Sequence, residues 1–311
     1  MAHAVRTGEI DGHRSVTLVS PAGVEATFAP GVGMIGCSLR ADGEELLGQR
    51  HGLAGYARTG STMGIPLLHP WANRLSGLSY EAGGVAVTID PSAAPVRLDG
   101  NGLPIHGLLA AAPWWEDVRT EAGDAAVLSA RLDFGARPEL LAAFPFPHVI
   151  ALEARLDGRA LTITTTIEPT GDRAVPVAFG FHPYLQIPGA PRAAWELTLP
   201  VRTHAVLDGR GIPAGADEPA GPLSGPLGDR TFDDLYPALD APAVFAFAAA
   251  GRRVEVRFGP GFPVAQLYAP PGEPFLACEP MTAPTNALAS GNGLRLVAPG
   301  ERFAAAFAVA V

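Results

Sequence analysis

Lysine is absent from this 311-residue chain: all 22 of its basic residues are arginine. Schiff-base catalysis, lysine-linked pyridoxal phosphate and a Walker-A phosphate loop each depend on a lysine amine. The sequence therefore excludes these three chemistries before any motif is considered.

Cysteine, long apolar runs and positive charge are also scarce. Cys37 and Cys278 lie too far apart for metal-ligand spacing and form no disulfide framework. The N-terminus lacks the apolar core of a signal peptide, and no run reaches the length of a membrane-spanning helix. The net charge of −9 disfavours nucleic-acid and membrane partners. We expect a cytoplasmic protein with a small-molecule partner, present as a monomer or homodimer.

Short alternating runs take the place of helical periodicity. Examples are "SVTLVS", "ALTITTTIEP" and "RRVEVRFGP", and many such runs end in Gly, Pro or Asp, which favour turns. This pattern predicts an all-β protein, a large antiparallel sandwich or barrel, without the rhythm of alternating strands and helices. We expect one domain over residues 1–311, in which the Gly-, Pro- and Asp-rich segment 207–236 is an ordered surface excursion.

A glycine pattern at residues 31–36, "GVGMIG", fits the dinucleotide-binding fingerprint. That fingerprint must open a helix and be followed by an acidic residue about 20 positions on. The residue 20 positions after Gly36 is Tyr56, and Asp42-Gly43 signals a turn. The pattern therefore indicates two short strands around a glycine turn.

An ionisable side chain ends one of the apolar runs. The run "VPVAFGF" leads into His182, and Pro183 then removes a backbone donor and fixes φ. His182 is either a strand-end histidine satisfied by hydrogen bonds, or an imidazole that the bend directs into a cleft.

Three further stretches carry candidate site residues. In "GIPLLHPWANRLSG", Trp71 is a candidate sugar-stacking face, and Arg74 either binds a carboxylate or ligand hydroxyls or caps loop carbonyls. His106 lies in "NGLPIHGLL". Glu279 follows the apolar run "PFLAC"; burial without a partner would raise its pKa and make it a general base, whereas loop-amide donors would lower it.

A metal site is an alternative for the same side chains. His106, His182 and Glu279 are of the types that form a two-histidine, one-carboxylate set. Their separations in the chain neither support nor exclude this interpretation.

The segments "ANR", "IHG", "FHPY", "FDD" and "CEP", in this order, resemble the aldose 1-epimerase (galactose mutarotase) family. The resemblance extends over nearly the whole chain, and "GVGMIGCSLRADGEELLG" looks like an early segment of that family. It implies a large antiparallel β-supersandwich. It also implies interconversion of the α and β anomers of a free hexose without a cofactor or metal.

The resemblance further implies roles for the candidate residues. Glu279 would take the proton of the C1 hydroxyl, and His182 would protonate the ring oxygen. Sugar hydroxyls would be bound by residues of three segments: Trp71, Asn73, Arg74, His106 and Asp233. The neighbouring Asp234 leaves the aspartate assignment ambiguous by one residue.

Two other functions remain open. "GIPLLHPW" looks more like the related hexose-6-phosphate 1-epimerase branch, in which several arginines should converge on the phosphate; Arg58, Arg74 and Arg97 are the candidates. In addition, the asparagine or histidine that commonly precedes the His-Gly motif of the family is missing before "IHG", which leaves the recognition of substrate hydroxyls open. Finally, the chain could be a non-catalytic sugar-binding protein on the same scaffold, because a fold does not fix a function.

Overall fold

The computed structural model describes residues 2–220, 223–239 and 242–311. The strands of the first half are β1 (Ala4–Ile10), β2 (His13–Val19), β3 (Val24–Ala29), β4 (Ile35–Ala41), β5 (Glu44–Glu45), β6 (Leu67–Leu68), β7 (Ser79–Ala82), β8 (Val85–Thr88), β9 (Arg97–Leu98), β10 (Pro104–Ile105), β11 (Glu116–Ala122), β12 (Ala126–Asp133) and β13 (His148–Asp157). Those of the second half are β14 (Ala160–Pro169), β15 (Val175–Val177), β16 (Gly180–Phe181), β17 (Tyr184–Leu185), β18 (Glu196–Leu199), β19 (Val201–His204), β20 (Glu218–Pro219), β21 (Leu223–Pro226), β22 (Phe232–Tyr236), β23 (Ala238–Leu239), β24 (Ala243–Ala249), β25 (Arg252–Phe258), β26 (Val264–Ala269), β27 (Leu276–Met281), β28 (Arg295–Val297) and β29 (Phe303–Ala310).

Among the described residues, helices are few and short. They are α1 (Gly52–Thr59), α2 (Pro138–Leu141), α3 (Ala287–Ser290) and a single 3₁₀ turn at Arg192–Ala194. The strand pairs of the named sheets are antiparallel. The predicted all-β antiparallel class is confirmed.

The largest sheet has nine strands in the order β11-β12-β13-β14-β29-β25-β24-β18-β21. Along β13 the side chains alternate, with Ile150, Leu152 and Leu156 buried in the main hydrophobic core and Glu153 exposed. This period of two is what an apolar–polar alternation produces when one face of a sheet covers a core. The core therefore lies against one face of this sheet.

The glycine pattern at 31–36 joins two antiparallel strands, β3 and β4, and opens no helix. Gly33 has a φ of +68°, and a Cβ at this position would lie 2.9 Å from the Ala111 nitrogen. Glycine is needed there because a side chain would be both strained and obstructed. The prediction of two strands around a glycine turn is confirmed.

A six-stranded sheet carries several of the candidate site residues. Its order is β22-β26-β27-β16-β6, and β17 also pairs with β27. All six residues of β27 are buried, so its apolar run does not alternate. The β26–β27 register places Gln266 opposite Glu279, and the β22–β26 register places Asp233 opposite Tyr268.

The Gly-, Pro- and Asp-rich segment 207–236 differs from the surface excursion predicted for it. It contributes an edge strand to each of three sheets: β20 in a three-stranded sheet, β21 in the nine-stranded sheet and β22 in the six-stranded one. Residues 221 and 222 of this segment lie outside the described residues. Short strands between glycines and prolines leave little periodicity, which is why the pattern indicated a loop.

Candidate active site

Polar side chains from distant parts of the chain line one cavity of about 230 Å³. Six of the seven predicted site residues are among them: Asn73, Arg74, His106, His182, Asp233 and Glu279. The volume is below the roughly 300–1,000 Å³ usual for drug-sized ligands, which suits a smaller molecule.

Trp71, the seventh predicted site residue, does not line this cavity. Its side chain is 1% exposed and belongs to the main hydrophobic core, and its backbone forms a bridge with Ala178. The apolar run before Trp71 packs inward and carries the indole with it, so no indole face is available for stacking. The aromatic rings that line the cavity are those of Tyr184 and Tyr268.

The six-stranded sheet brings two carboxylates to one face. Glu279 lies on β27 and Asp233 on β22, with β26 between them. The Gln266 Nε2 donates to Asp233 Oδ1 at 2.7 Å. Asp234, the neighbour that sequence could not separate from Asp233, instead accepts a long 3.4 Å hydrogen bond from the Tyr236 hydroxyl and does not line the cavity.

His182 follows the last residue of β16 and stands at the edge of the cavity. Its backbone N–H donates to the Pro66 carbonyl at 3.2 Å, and that of Tyr184 donates to the Gly64 carbonyl at 2.8 Å. Pro183 lies between these two donors, so its missing N–H costs no hydrogen bond there. The His182 ring stacks on the Tyr184 ring at a centroid distance of 4.1 Å.

A direct contact joins the imidazole of His182 to the carboxyl group of Glu279. The distance from His182 Nε2 to Glu279 Oε1 is 3.1 Å, and both side chains are at most 5% exposed. Within the described residues, His182 Nδ1 and Glu279 Oε2 have no hydrogen-bond partner. The pair therefore retains one free polar atom on each side for a ligand.

Burial shifts the two pKa values in opposite directions, because each charged form loses hydration. The pKa of Glu279 is raised well above its ordinary value by burial and then by the charge of Asp233, while Arg74 opposes the shift. The pKa of His182 is lowered well below its ordinary value by burial and then by His106. The pair therefore favours a neutral acid beside a neutral imidazole.

His106 reaches the cavity from a tight loop. Its φ is +62°, and its backbone N–H donates to the Asn73 carbonyl at 2.9 Å. Burial and the charges of Arg97 and Arg74 lower the pKa of His106 to about 3. The ring is thus neutral near pH 7, and its Nδ1 has no partner within the described chain.

Arg74 is held by fixed partners. Its Nε donates to Asp99 Oδ2 at 2.8 Å, and its Nη1 donates to Asn73 Oδ1 at 3.0 Å. Its carbonyl accepts from the Asn286 N–H at 3.0 Å. Asn286, which follows the "CEP" motif, therefore supports the loop that carries Arg74. Together these partners hold the guanidinium at the cavity.

The metal-site alternative finds no support in the arrangement. Over residues 2–220, 223–239 and 242–311, no three His, Cys, Asp or Glu side chains are grouped to hold a metal ion. His182 contacts Glu279 directly, and its ring meets that of His106 edge to face, with centroids 5.7 Å apart.

Several cavity residues were not found from the sequence. Arg50, Thr62, Asp99 and Tyr268 line the cavity but belong to no recognisable motif. Gln266 carried a signal: it is a polar residue, 2% exposed, within the apolar run "PVAQLYA". A buried amide needs hydrogen-bond partners, and such partners are often found at functional sites.

The protein thus combines an antiparallel β-sandwich with a buried histidine–glutamate pair in a polar cavity. The chain belongs to the aldose 1-epimerase family, whose sequence pattern matches residues 14–310.

Solved structures share this galactose mutarotase-like fold. A galactose mutarotase-like protein from Clostridium acetobutylicum superposes with a TM-score of 0.85 at 16% identity, covering 99% of this chain and 98% of the other. A galactose 1-epimerase from Lactobacillus acidophilus gives 0.79 at 16% identity, with the same coverage. A putative aldose 1-epimerase from Escherichia coli gives 0.73 at 16% identity, again covering 99% and 98%. No curated protein matches the sequence. Within the described residues no helix is long and apolar enough to cross a membrane.

Proposed function

We propose that this protein is an aldose 1-epimerase, which interconverts the α and β anomers of an aldose by opening and reclosing the sugar ring. The observation that carries the proposal is the 3.1 Å contact between His182 and Glu279 in a cavity lined with polar side chains. Ring opening requires one group to accept a proton and another to donate one, and this pair supplies both.

The proposed reaction begins with the pair sharing one proton in its productive form. Glu279, as the carboxylate, accepts the proton of the C1 hydroxyl, and His182, as the imidazolium, donates to the ring oxygen. The bond between C1 and the ring oxygen breaks as the C1 carbonyl forms. Rotation about C1–C2 exposes the other carbonyl face. On reclosure His182 takes back the proton of the ring-opened hydroxyl and Glu279 returns its proton to the C1 oxygen, so the enzyme is regenerated.

The burial of the pair supports this assignment. Because Glu279 is a strong proton acceptor when its pKa is raised, and His182 a strong donor when its pKa is lowered, the proton transfers are driven in the required directions. Both free atoms, Glu279 Oε2 and His182 Nδ1, are buried polar groups that a bound sugar would help to satisfy.

The remaining cavity residues suit the hydroxyls of a sugar. The carboxylate of Asp233 accepts hydrogen bonds, and the guanidinium of Arg74 and the amide of Asn73 donate them. The neutral ring of His106 can donate or accept. We assign these four side chains to substrate binding.

The proposal is tested by following the anomerisation of freshly dissolved α-D-glucose and α-D-galactose by polarimetry. We expect acceleration by the wild type, and a loss of about 10²- to 10⁴-fold in Glu279→Gln, since the amide cannot accept the proton. Glu44→Gln, an exposed site on β5, is the matched control and should retain the full rate. Sugar binding without turnover in the wild type would instead indicate a non-catalytic sugar-binding protein.

A further inference from the structure

Two arginines, Arg50 and Arg97, line the cavity without a carboxylate partner among the described residues. The Arg50 Nη1 donates to the Thr62 carbonyl at 2.7 Å and to the Tyr184 hydroxyl at 3.3 Å. The Arg97 Nη1 donates to the Gly60 carbonyl at 2.5 Å. Both guanidinium groups thus rest on neutral partners only, whereas Arg74 is paired with Asp99.

The two positive charges lie close enough to affect each other and the histidines. Burial lowers the pKa of Arg97, and the charge of Arg50 adds to that effect. The charge of Arg50 also helps to lower the pKa of His182, and that of Arg97 helps to lower the pKa of His106. Asp233 acts instead on Glu279. Arg97 and Arg50 donate to the carbonyls of Gly60 and Thr62, two residues apart in the chain, so both guanidinium groups lie beside the same loop at the cavity.

The Arg50 side chain is held in place by packing as well as by hydrogen bonds. Its guanidinium lies 5.3 Å from the centre of the Tyr184 ring and 6.0 Å from that of Phe275. The Tyr184 hydroxyl is in turn hydrogen-bonded to the Thr62 hydroxyl at 2.7 Å. Fixing a cation in this way lowers the entropy lost on binding an anion.

Two like charges at one cavity, neither of them hydrogen-bonded to a carboxylate within the described residues, repel each other until an anion is bound. A guanidinium offers a planar set of donors that matches a carboxylate or a phosphate. We propose that Arg50 and Arg97 bind an anionic substituent, a carboxylate or a phosphate, carried by the aldose on a carbon remote from C1. This inference rests on the proposed function, because it places C1 at the Glu279 end.

The arginines at the cavity differ from the three that the sequence offered for a phosphate site. Arg74 and Arg97 line the cavity, but Arg58 is exposed on α1 and does not. Arg50 takes its place. Arg58 therefore provides a control of the same residue type, close in sequence and outside the cavity.

The experiment compares kcat/KM for anomerisation of glucose, glucose 6-phosphate and glucuronate, measured by NMR exchange. We expect at least about a tenfold preference for one anionic sugar over glucose. In the double variant Arg50→Gln/Arg97→Gln, kcat/KM for that sugar should fall roughly 10- to 100-fold, mainly through KM. The kcat/KM for glucose should fall by a smaller factor than that for the anionic sugar, and Arg58→Gln should leave all values unchanged.

The two anionic sugars distinguish the two sources of charge. A preference for glucose 6-phosphate assigns the subsite to phosphate, and one for glucuronate assigns it to carboxylate. Equal values for all three sugars, together with no effect of the double variant, would overturn the inference and leave the epimerase assignment intact.

Failure of the proposed function has a different signature. If no sugar is turned over, calorimetric binding of each anionic sugar to the wild type and to the double variant still tests the subsite. Binding that is lost in the double variant supports the subsite without the epimerase activity, whereas no binding contradicts it. Should the double variant fail to fold, Arg50→Lys replaces it, because lysine keeps the charge but lacks the planar set of donors. The preference of the wild type among the three sugars tests the subsite without any variant.

Discussion

Asp233 and Gln266 are joined across neighbouring strands by a 2.7 Å hydrogen bond, and this bond holds the Asp233 carboxylate on the side of the sheet that carries Glu279. The charge of Asp233 raises the pKa of Glu279, and that of Arg74 lowers it. Asp233 and Arg74 therefore shift the pKa of Glu279 in opposite directions.

This opposition predicts opposite changes in the pH profile. In the proposed mechanism the productive free enzyme carries one proton on the His182–Glu279 pair, so we expect activity to fall when a second proton binds and when the last one leaves. The last proton leaves at the raised pKa of Glu279. Asp233→Asn should therefore move the alkaline limb of kcat/KM to lower pH, and Arg74→Gln should move it to higher pH.

Both variants are also expected to lower the plateau of kcat/KM by about tenfold or more, through lost contacts with sugar hydroxyls. The measurement is kcat/KM against pH for the wild type and each variant. Shifts of the alkaline limb in the same direction for both variants would contradict the assignment of that limb to Glu279.

Removal of the proposed general acid should be severe. His182→Asn keeps a polar side chain of similar reach but cannot carry the proton to the ring oxygen, so we expect a loss of about 10²- to 10⁴-fold in kcat. Polarimetry at pH 7 measures this loss, with thermal unfolding as the check on folding. A near-wild-type rate would make His182 a structural residue of the strand end.

The loop that carries His106 depends on a glycine. Gly107 has a φ of +69°, and a Cβ there would lie 2.2 Å from the His69 carbonyl oxygen. Gly102 has a φ of +74° but open space around it. Gly102→Ala should cost about 1–2 kcal/mol of unfolding free energy from backbone strain alone. Gly107→Ala should cost more and raise KM, because the clash displaces His106; urea titration and kinetics compare the two.

The placement of Trp71 in the core has a direct test. Trp71→Phe should lower the unfolding free energy by about 1–3 kcal/mol, because the smaller ring leaves a cavity. The KM of the folded variant should remain within about twofold of the wild type. A large rise in KM with unchanged stability would return Trp71 to the binding site.

A buried histidine pair predicts sensitivity to acid. His148 Nδ1 donates to the Phe146 carbonyl at 2.7 Å, so its Nε2 accepts the proton of His69 Nε2 at 2.8 Å. Burial lowers the pKa of His148 to about 4 and that of His69 well below its ordinary value. In the unfolded chain both titrate near 6.5.

The unfolded state therefore binds more protons than the folded state below about pH 6.5. As a result, the unfolding free energy decreases as the pH is lowered. For His148 alone the loss reaches about 3 kcal/mol near pH 4. Urea midpoints at pH 7.5 and pH 5 measure this effect. His69→Leu/His148→Leu, which removes both partners together, should reduce the difference between the two midpoints; an unchanged difference would contradict this source of acid sensitivity.

The fold was predictable because strand alternation and turn residues are local signals. Runs such as "ALTITTTIEP" became β14 over the same residues, Ala160–Pro169. The order of the strands in the sheets was not predictable from such signals, since it depends on which apolar faces pack together. The edge strands of the segment 207–236 were not predicted for a local reason: they are short and lie between glycines and prolines, so they leave little periodicity.

Whether a residue of the candidate site could be predicted also depends on local signals in the sequence. Glu279 and His182 could be predicted to line the cavity because an ionisable group at the end of an apolar run is conspicuous, and Arg74 and His106 because of their motifs. Arg50 is a polar residue after a two-residue strand, with nothing local to mark it. Trp71 was misplaced because sequence shows that a ring is present, but not which way it faces.

The strand order of the six-stranded sheet also bears on how the protein folds. His182 and Glu279 are separated by 97 residues (279 − 182), and β6, on the other side of β16, lies more than 100 residues before it. Pairings between such distant segments form slowly, because long loops must close before the contacts are gained. The contact between His182 and Glu279 is therefore expected to form late in refolding, and the return of the proposed activity should report completion of the sheet rather than the earlier collapse of the chain.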